Sequence, residues 1–179
     1  MDGHKFSGIN DRMSNKDIDN KIPIYQLKSK EKVLDYYDNW TKKEQYNNDM
    51  VVWNYEAPKN TASLLNKHAV DKKISILDAG CGTGLVGKEL KKYGYRNLTG
   101  VDFSQSMLDL IPPDIYHTID LIDLNEPLKY EDNTFNAVMC VGAFTYGHVK
   151  AHVLNEFIRI VNYQGLICFT INELSLIHI

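Results

Sequence analysis

The stretch Ile74-Ser-Ile-Leu-Asp-Ala-Gly-Cys-Gly-Thr-Gly-Leu-Val-Gly87 is the most informative segment of this chain for its fold. An apolar, β-prone run ends in Asp78, glycines follow at positions 80, 82 and 84, and a helix-like pattern begins near Leu85. This order predicts a strand, a tight turn and a helix N-terminus. Because glycine has no Cβ atom, a ligand can lie directly against the backbone of such a turn. The stretch therefore predicts a site for a nucleotide-like cofactor.

Strand and helix patterns alternate from residue 71 onwards. Strands are predicted over 74–78, 97–102, 115–119, 135–141 and 165–171, and helices over 85–93, 104–110 and 150–161. This alternation is typical of right-handed βαβ crossovers, in which helices cover both faces of a parallel sheet. The strand segments are apolar throughout, as burial on both faces requires. The predicted fold class is α/β, with a doubly wound, Rossmann-like and mostly parallel sheet.

The first 70 residues follow a different pattern. Residues 1–28 are polar and aperiodic, which predicts a flexible tail and leaves residues 29–179 as one domain. One helix is predicted from Ser29 and a second after Pro58, so that helices precede the sheet. Four aromatic residues of this region are Tyr36, Tyr37, Trp40 and Tyr46. They allow two interpretations, namely ordinary packing or the lid of a ligand site.

Composition limits the classes of partner and compartment. The chain has 179 residues, of which 44% are hydrophobic, and a formal net charge of -3, so there is no electrostatic reason to expect nucleic acid or an anionic membrane as partner. No secretory signal is visible, and no apolar run approaches the roughly 20 residues that span a bilayer. The three cysteines, Cys81, Cys140 and Cys168, form no CxxC pair and are predicted to be buried, reduced thiols. These features predict a cytoplasmic protein.

Distinctive residues follow the predicted strands at the same end. Asp78 closes the first strand, Asp102 closes the second, Asp123 follows the third and Gly142 follows the fourth. A single strand-end carboxylate is often a helix cap or a solvated loop residue. Four such positions on one edge of a doubly wound sheet instead favour a ligand site, because ligands bind beyond the carboxyl ends of the strands.

Two cofactors compete for this site. Gly82-Thr-Gly-Leu-Val-Gly87 matches the GxGxxG pattern of dinucleotide binders, and Asp102 lies about 20 residues further on, where a ribose-binding acid belongs. The glycine series, however, starts earlier, at Gly80, and Asp78 precedes it. A carboxylate there repels a pyrophosphate and suits an ammonium or sulfonium cation. The acid favours a cationic ligand, and a nicotinamide dinucleotide oxidoreductase remains the alternative.

Three segments resemble the class I S-adenosylmethionine (SAM) dependent methyltransferases. Leu77-Asp-Ala-Gly-Cys-Gly-Thr-Gly84 resembles their glycine motif, and Leu98-Thr-Gly-Val-Asp-Phe-Ser-Gln-Ser-Met-Leu108 their second motif. The segment from Asp123 to Val138 is similar to the one that joins their third and fourth strands. Within this class, the glycine motif together with Tyr37-Asp-Asn-Trp40 and Val141-Gly-Ala-Phe-Thr-Tyr-Gly-His-Val149 most resembles the methyltransferase-like proteins of the Williams–Beuren syndrome region.

The resemblance implies SAM as cofactor and a set of binding residues. They are Tyr37, Asp78, Gly80, Cys81, Gly82, Gly84, Asp102, Phe103, Met107, Asp123, Leu124, Cys140 and Val141. Residues 80–84 would hold the methionine moiety, Asp78 its amino group, and Asp102 both ribose hydroxyls.

The other implied roles concern the adenine and the sulfonium. Phe103 and Met107 would pack against the adenine, Asp123 would accept from its amino group, and the Leu124 N–H would reach a ring nitrogen. Below the sulfonium, the resemblance places Cys140 and Val141. Finally, Tyr37 would close the site from the N-terminal helices.

A general base is an optional part of such a site, because SAM carries a methyl group that is already activated. His148 is the first candidate base and Tyr146 the second, since both follow the fourth strand; either residue can alternatively pack or cap the next helix. His68, His117 and His152 lack mutual ligand spacing, so no metal site is predicted.

Two departures from the family pattern affect the expected function. The Asn-Pro-Pro-Tyr motif is missing after the fourth strand, where Cys-Val-Gly-Ala-Phe stands at 140–144, so the acceptor is predicted to be a small molecule or a protein side chain. Only eight residues follow the predicted strand 165–171, which leaves no room for the last two strands of the family sheet. The strand edge is then expected to be exposed and to promote self-association. Because of this shortened sheet, a non-catalytic SAM-binding or interaction protein is the main alternative.

Overall fold

A five-stranded sheet forms the centre of the computed structural model, which describes residue 27 and residues 29–144 and 149–171. The strands are β1 (Ile76–Ala79), β2 (Leu98–Asp102), β3 (Thr118–Leu121), β4 (Phe135–Phe144) and β5 (Val161–Ile171). The α-helices are α1 (Lys30–Trp40), α2 (Gln45–Val52), α3 (Ala57–His68), α4 (Leu85–Lys92), α5 (Gln105–Leu108) and α6 (Val153–Ile160). The strand order is β3-β2-β1-β4-β5, and all neighbouring pairs are parallel. The predicted α/β fold class is confirmed.

The central strand β1 is buried on both faces of the sheet, as its apolar sequence predicted. Ile76 and Leu77 are neighbours in β1 and point to opposite faces, yet each is 0% exposed. On one side Ile76 shares a core with Leu65 of α3 and Leu90 of α4. On the other side Leu77 shares a core with Phe157 of α6. Two helical layers therefore hold the strands in place and align their carboxyl ends at one edge.

The N-terminal helices agree with the sequence in part. The Ser29 hydroxyl caps α1 by accepting a hydrogen bond from the Lys32 N–H at 3.4 Å, and Pro58 lies in the first turn of α3. The helix α2 was not predicted. None of its residues is buried, so it lacks the apolar stripe by which a helix is recognised in a sequence.

The third strand differs from its predicted position at 115–119. In the structure β3 covers Thr118–Leu121, and Ile115 and Tyr116 precede it as buried core residues. The reason is that β3 lies at one edge of the sheet, where Ile119 and Leu121 are 40% and 57% exposed. A strand covered so little needs no apolar run, whereas the two residues before it pack inside.

The strand β5 occupies the opposite edge of the sheet. Among the described residues it pairs with β4 alone, and Phe169 and Ile171 are 38% and 43% exposed. Residues 172–179, on which the expected loss of two strands depended, lie outside the described part of the chain. Self-association through this edge stays a prediction, with the reason that an unpaired strand edge can bind another strand. Light scattering after size-exclusion chromatography should show concentration-dependent larger species, and a monodisperse monomer with a sharp cooperative melt would contradict the prediction.

Two other expectations concern the ends of the chain and the membrane. The tail predicted over 1–28 lies outside the described residues except for Leu27, so this boundary stays a prediction. Within the described ranges, no helix is both long enough and apolar enough to cross a membrane.

Candidate cofactor site

A cavity of about 350 Å³ opens at the carboxyl edge of the sheet, where β1, β2 and β4 end. Ten of the thirteen residues predicted to bind a cofactor line it, namely Tyr37, Gly80, Cys81, Gly82, Asp102, Phe103, Met107, Asp123, Leu124 and Val141. The other three are Asp78, Gly84 and Cys140, which lie behind the cavity wall. The parallel topology thus brings together residues that lie as much as 104 positions apart, from Tyr37 to Val141.

The turn after β1 lines the cavity with backbone. Gly80 and Gly82 have φ values of +74° and +53°, in the left-handed region that glycine adopts without strain. A Cβ atom on Gly80 would also lie 3.0 Å from the Cβ of Ala143, so a side chain at this position would crowd the end of β4. The predicted cradle of bare backbone is therefore required by both conformation and space.

Asp102, the last residue of β2, anchors the turn. Its Oδ2 accepts a hydrogen bond from the Gly82 N–H and its Oδ1 accepts one from the Ser104 N–H, each at 2.9 Å. The residue is 8% exposed, and burial raises the pKa of its carboxyl although these N–H groups oppose the shift. Each carboxylate oxygen has a second lone pair, so Asp102 can accept further hydrogen bonds from hydroxyl groups in the cavity.

Asp78 lies behind the glycine turn and does not line the cavity. It is 1% exposed, and its Oδ2 accepts a hydrogen bond from the hydroxyl of Tyr116 at 2.5 Å. Its Oδ1 is buried without a hydrogen-bonding partner among the described residues. Burial raises the pKa of Asp78 to about 7. The expected carboxylate is thus present, but any effect on a ligand in the cavity has to pass through the turn.

Asp123 marks the other end of the cavity and forms an ion pair with a residue of α1. Its Oδ2 lies 2.7 Å from Nζ of Lys30, and its Oδ1 accepts from the Asn125 N–H at 2.9 Å. Burial alone would raise the pKa of Asp123, but the hydrogen bond from Lys30 reverses this and holds the pKa below its usual value. Asp123 therefore connects the sheet edge to the first helix.

The region before the sheet covers the cavity with aromatic side chains. Tyr37, Tyr46 and Tyr55 all line it. Trp40 packs edge-to-face against Tyr46, with ring centroids 4.8 Å apart. A hydrogen bond of 2.6 Å from the Thr83 hydroxyl to Oδ1 of Asn47 joins α2 to the glycine turn. Of the two interpretations of the four predicted aromatic residues, the lid of a ligand site suits Tyr37 and Tyr46, whereas Tyr36 and Trp40 pack against neighbouring rings and do not line the cavity.

Several residues of the cavity were not found from the sequence. Lys30, Tyr55 and Thr83 carry no local signal, because their place in the site depends on how distant segments fold together. The two candidate bases, His148 and Tyr146, lie outside the described residues and stay predictions. Within the described part of the chain, no group of three or more His, Cys, Asp or Glu residues has the arrangement of a metal site.

A doubly wound parallel sheet, a bare glycine turn after the first strand and a buried acid at the end of the second strand together define a class I methyltransferase domain. Residues 76–165 match the family described as "Methyltransferase domain", and the chain belongs to this family. The class predicted from the glycine motif is thereby confirmed.

Individual relatives and solved structures agree with this assignment. Over 141 residues the chain is 36% identical to methyltransferase-like protein 27 of Homo sapiens, which covers 76% of this chain and 56% of that protein. It is 33% identical over 90 residues to EEF1A lysine methyltransferase 2 of Mus musculus, which covers 50% of this chain and 36% of that protein. The chain thus spans about half the length, or less, of these relatives.

One solved structure supports the fold alone. Phosphoethanolamine N-methyltransferase 1 of Haemonchus contortus, solved with phosphoethanolamine and S-adenosylhomocysteine, superimposes with a TM-score of 0.59. The identity is 18%, and the match covers 77% of this chain and 32% of that one.

Proposed function

We propose that this chain binds SAM in the cavity at the carboxyl edge of the sheet and transfers its methyl group to an acceptor. Membership of the methyltransferase family supports this proposal, and one structural observation carries it. Bare backbone at Gly80 and Gly82 and the carboxylate of Asp102 face one cavity, which is the arrangement that a nucleoside with an amino acid side arm requires.

The residues present suit the cofactor in two respects. The glycine turn leaves open the space that a Cβ atom would fill, and the buried Oδ1 of Asp78 has no hydrogen-bonding partner among the described residues. An unpaired buried carboxylate oxygen is costly, and a cation nearby reduces that cost. SAM carries both an ammonium and a sulfonium group, so its charge complements Asp78.

Each wall of the cavity has its own role in the proposal. The turn around Gly80 and Gly82 holds the methionine moiety, and Asp102 accepts hydrogen bonds from both ribose hydroxyls. The apolar side chains of Phe103 and Met107 provide the surface for the adenine. The N–H of Leu124 donates a hydrogen bond to a ring nitrogen of the adenine.

Asp123 has a competing partner in this scheme. It accepts from the adenine amino group, and it shares its carboxylate with Lys30 of α1. Cofactor binding and the position of the first helix are therefore connected. Tyr37 closes this side of the cavity.

The chemistry requires alignment more than acid–base groups. The sulfonium supplies a methyl carbon that is activated for in-line displacement. The chain has to orient the acceptor and exclude water, and the aromatic lid formed by Tyr37, Tyr46 and Tyr55 is suited to both tasks. Val141 lies in the wall at the end of β4, whereas Cys140 is fully buried behind it and supports that wall by packing. His148, or Tyr146 as the second choice, serves as base where the acceptor has to lose a proton.

We further propose a small molecule or a protein side chain as acceptor, in the cytoplasm. The net charge of -3 disfavours a polyanion such as nucleic acid, and Cys81, Cys140 and Cys168 are free thiols, as a reducing compartment maintains them. Incubation with labelled SAM and separate pools of metabolites, proteins and RNA tests the acceptor class. Label in the RNA pool alone would overturn it.

Calorimetric titration with SAM, S-adenosylhomocysteine and NADH tests the cofactor. We expect both sulfur nucleosides to bind and NADH not to bind; binding of NADH alone would overturn the proposal in favour of an oxidoreductase. The second candidate function is a SAM-binding protein without transferase activity. Binding of SAM without label transfer to any pool would support this candidate.

A further inference from the structure

The ring of Tyr116 fills a slot that three glycines leave open. A Cβ atom on Gly84 would lie 3.3 Å from its Cε2, and one on Gly100 would lie 3.2 Å from its Cδ1 and Cδ2. A Cβ atom on Gly87 would lie 2.6 Å from both Cζ and Oη, closer than such atoms approach in proteins. These glycines belong to the turn, to β2 and to α4, so three separate elements make room for one ring.

In this slot, the hydroxyl of Tyr116 lies within hydrogen-bonding distance of the Asp78 carboxylate. Both residues are buried, with 8% and 1% of their surface exposed, and the hydroxyl donates to Oδ2 at 2.5 Å. The other oxygen, Oδ1, has no partner in the described part of the chain. The Tyr116 hydroxyl is thus the side-chain donor that orients this carboxylate behind the glycine turn.

Among the described residues, the groups that face Asp78 provide no positive charge. Besides Tyr116, the titratable groups that face it in the described structure are Asp102 at the end of β2, Cys81 in the turn and Cys140 in β4. Burial raises the pKa of both thiols, which are therefore neutral at pH 7, and Asp102 is an acid. Burial raises the pKa of Asp78 to about 7, the hydrogen bond from Tyr116 opposes this shift, and the charge of Asp102 adds to it.

We propose that Tyr116 is a positioning residue of the cofactor site, whose hydroxyl keeps the buried Asp78 carboxylate oriented and ionised for a cationic ligand. This inference rests on the proposed function, because the cation is the ammonium of the SAM methionine moiety. Tyr116 does not line the cavity and acts on the ligand through Asp78.

Linkage between proton and ligand gives the inference a measurable form. A cationic ligand favours the ionised carboxylate, so its affinity rises as Asp78 loses its proton and levels off above the pKa. Tyr116→Phe keeps the ring in its slot and removes the donor, which raises the pKa of Asp78. The midpoint of the affinity profile then moves to higher pH, and the affinity is reduced mainly below that midpoint.

The experiment is a calorimetric titration with S-adenosylhomocysteine, which keeps the ammonium but has no methyl group to transfer, between about pH 5.5 and about pH 8.5. For Tyr116→Phe we expect the midpoint to rise by roughly one pH unit, with an affinity about three- to tenfold lower at pH 7 and close to that of the wild type at the upper limit. In Asp78→Asn the affinity for S-adenosylhomocysteine is expected not to change with pH. Adding Tyr116→Phe to this variant should change the affinity little. Tyr163→Phe, on the exposed face of β5, is the matched control and should leave the profile unchanged.

The outcomes separate the inference from the proposed function. An equal loss of affinity at every pH, with an unchanged midpoint, would mean that Tyr116 supports the fold only and would overturn the inference. If Tyr116→Phe does not fold, the pH profile of Asp78→Asn tests the inference instead. A pH dependence of the affinity that persists in Asp78→Asn would also overturn the inference. A wild-type chain that binds no S-adenosylhomocysteine at any pH overturns the proposed function, and this inference with it.

Discussion

Alanine in place of Asp102 is expected to weaken SAM binding by about 1.5–3 kcal/mol, which corresponds to roughly 10- to 150-fold in affinity. Two losses act in the same direction. The ribose hydroxyls lose a charged acceptor, and the N–H groups of Gly82 and Ser104 lose the carboxylate that holds the turn in place. Calorimetric titration with SAM and S-adenosylhomocysteine at fixed pH and salt measures the effect.

Two further variants separate direct from indirect effects. Asp109→Ala removes the same charge from an exposed position just after α5 and should leave the affinity unchanged. Asp102→Asn keeps one acceptor oxygen and should fall between Asp102→Ala and the wild type. Thermal unfolding of each variant checks that the domain remains folded. Wild-type affinity in Asp102→Ala would remove this residue from the cofactor site.

Gly87→Ala is expected to lower the free energy of unfolding by about 1–3 kcal/mol, as overpacking of a core does. This sign is unusual, because alanine in a helix interior is normally more stable than glycine by about 0.5–1 kcal/mol. Here the added Cβ atom would lie 2.6 Å from Cγ2 of Ile115 and 2.6 Å from Cζ of Tyr116, so both side chains would have to move. Denaturant unfolding followed by circular dichroism measures the change.

The matched control lies on the same helix. Lys88 is half-buried one position further along α4, and Lys88→Ala should change the stability by no more than about 0.5 kcal/mol. In a double-mutant cycle, Gly87→Ala should cost less in a Tyr116→Ala background, because the ring that the Cβ atom meets is gone. A Gly87→Ala variant that is more stable than the wild type would show that the Tyr116 ring does not occupy the slot.

The parts of the fold that the sequence predicted correctly are those with strong local patterns. The β1 strand, the glycine turn and the helix from Leu85 follow from one short segment, since each depends on residues a few positions apart. Asp102 was found because it ends the next apolar run, and parallel neighbouring strands end at the same edge. The ten predicted residues that line the cavity share this origin, as positions at strand ends or in matched motifs.

The features that the sequence missed or misplaced are those without a clear local pattern. The helix α2 was missed because it is exposed, and β3 was placed three residues too early because Ile115 and Tyr116 are apolar for a different reason, namely packing under α4. Asp78 is buried behind the turn, a position that the sequence did not indicate, and its role towards the cofactor stays a prediction. For β3, the same apolar pattern is compatible both with a strand and with residues that pack just before it.

Residue order alone was thus sufficient for the class of fold, the edge of the sheet at which the cavity opens and the place of Asp102 at the end of the second strand, because these depend on short-range periodicity and on the rule that parallel strands end together. It was insufficient for the pairing of Lys30 with Asp123, the hydrogen bond between Thr83 and Asn47, and the slot that holds Tyr116. The first two contacts join residues that lie 36 and 93 positions apart in the chain. The slot is formed by three separate elements. Their geometry exists only after the helices have packed on the sheet.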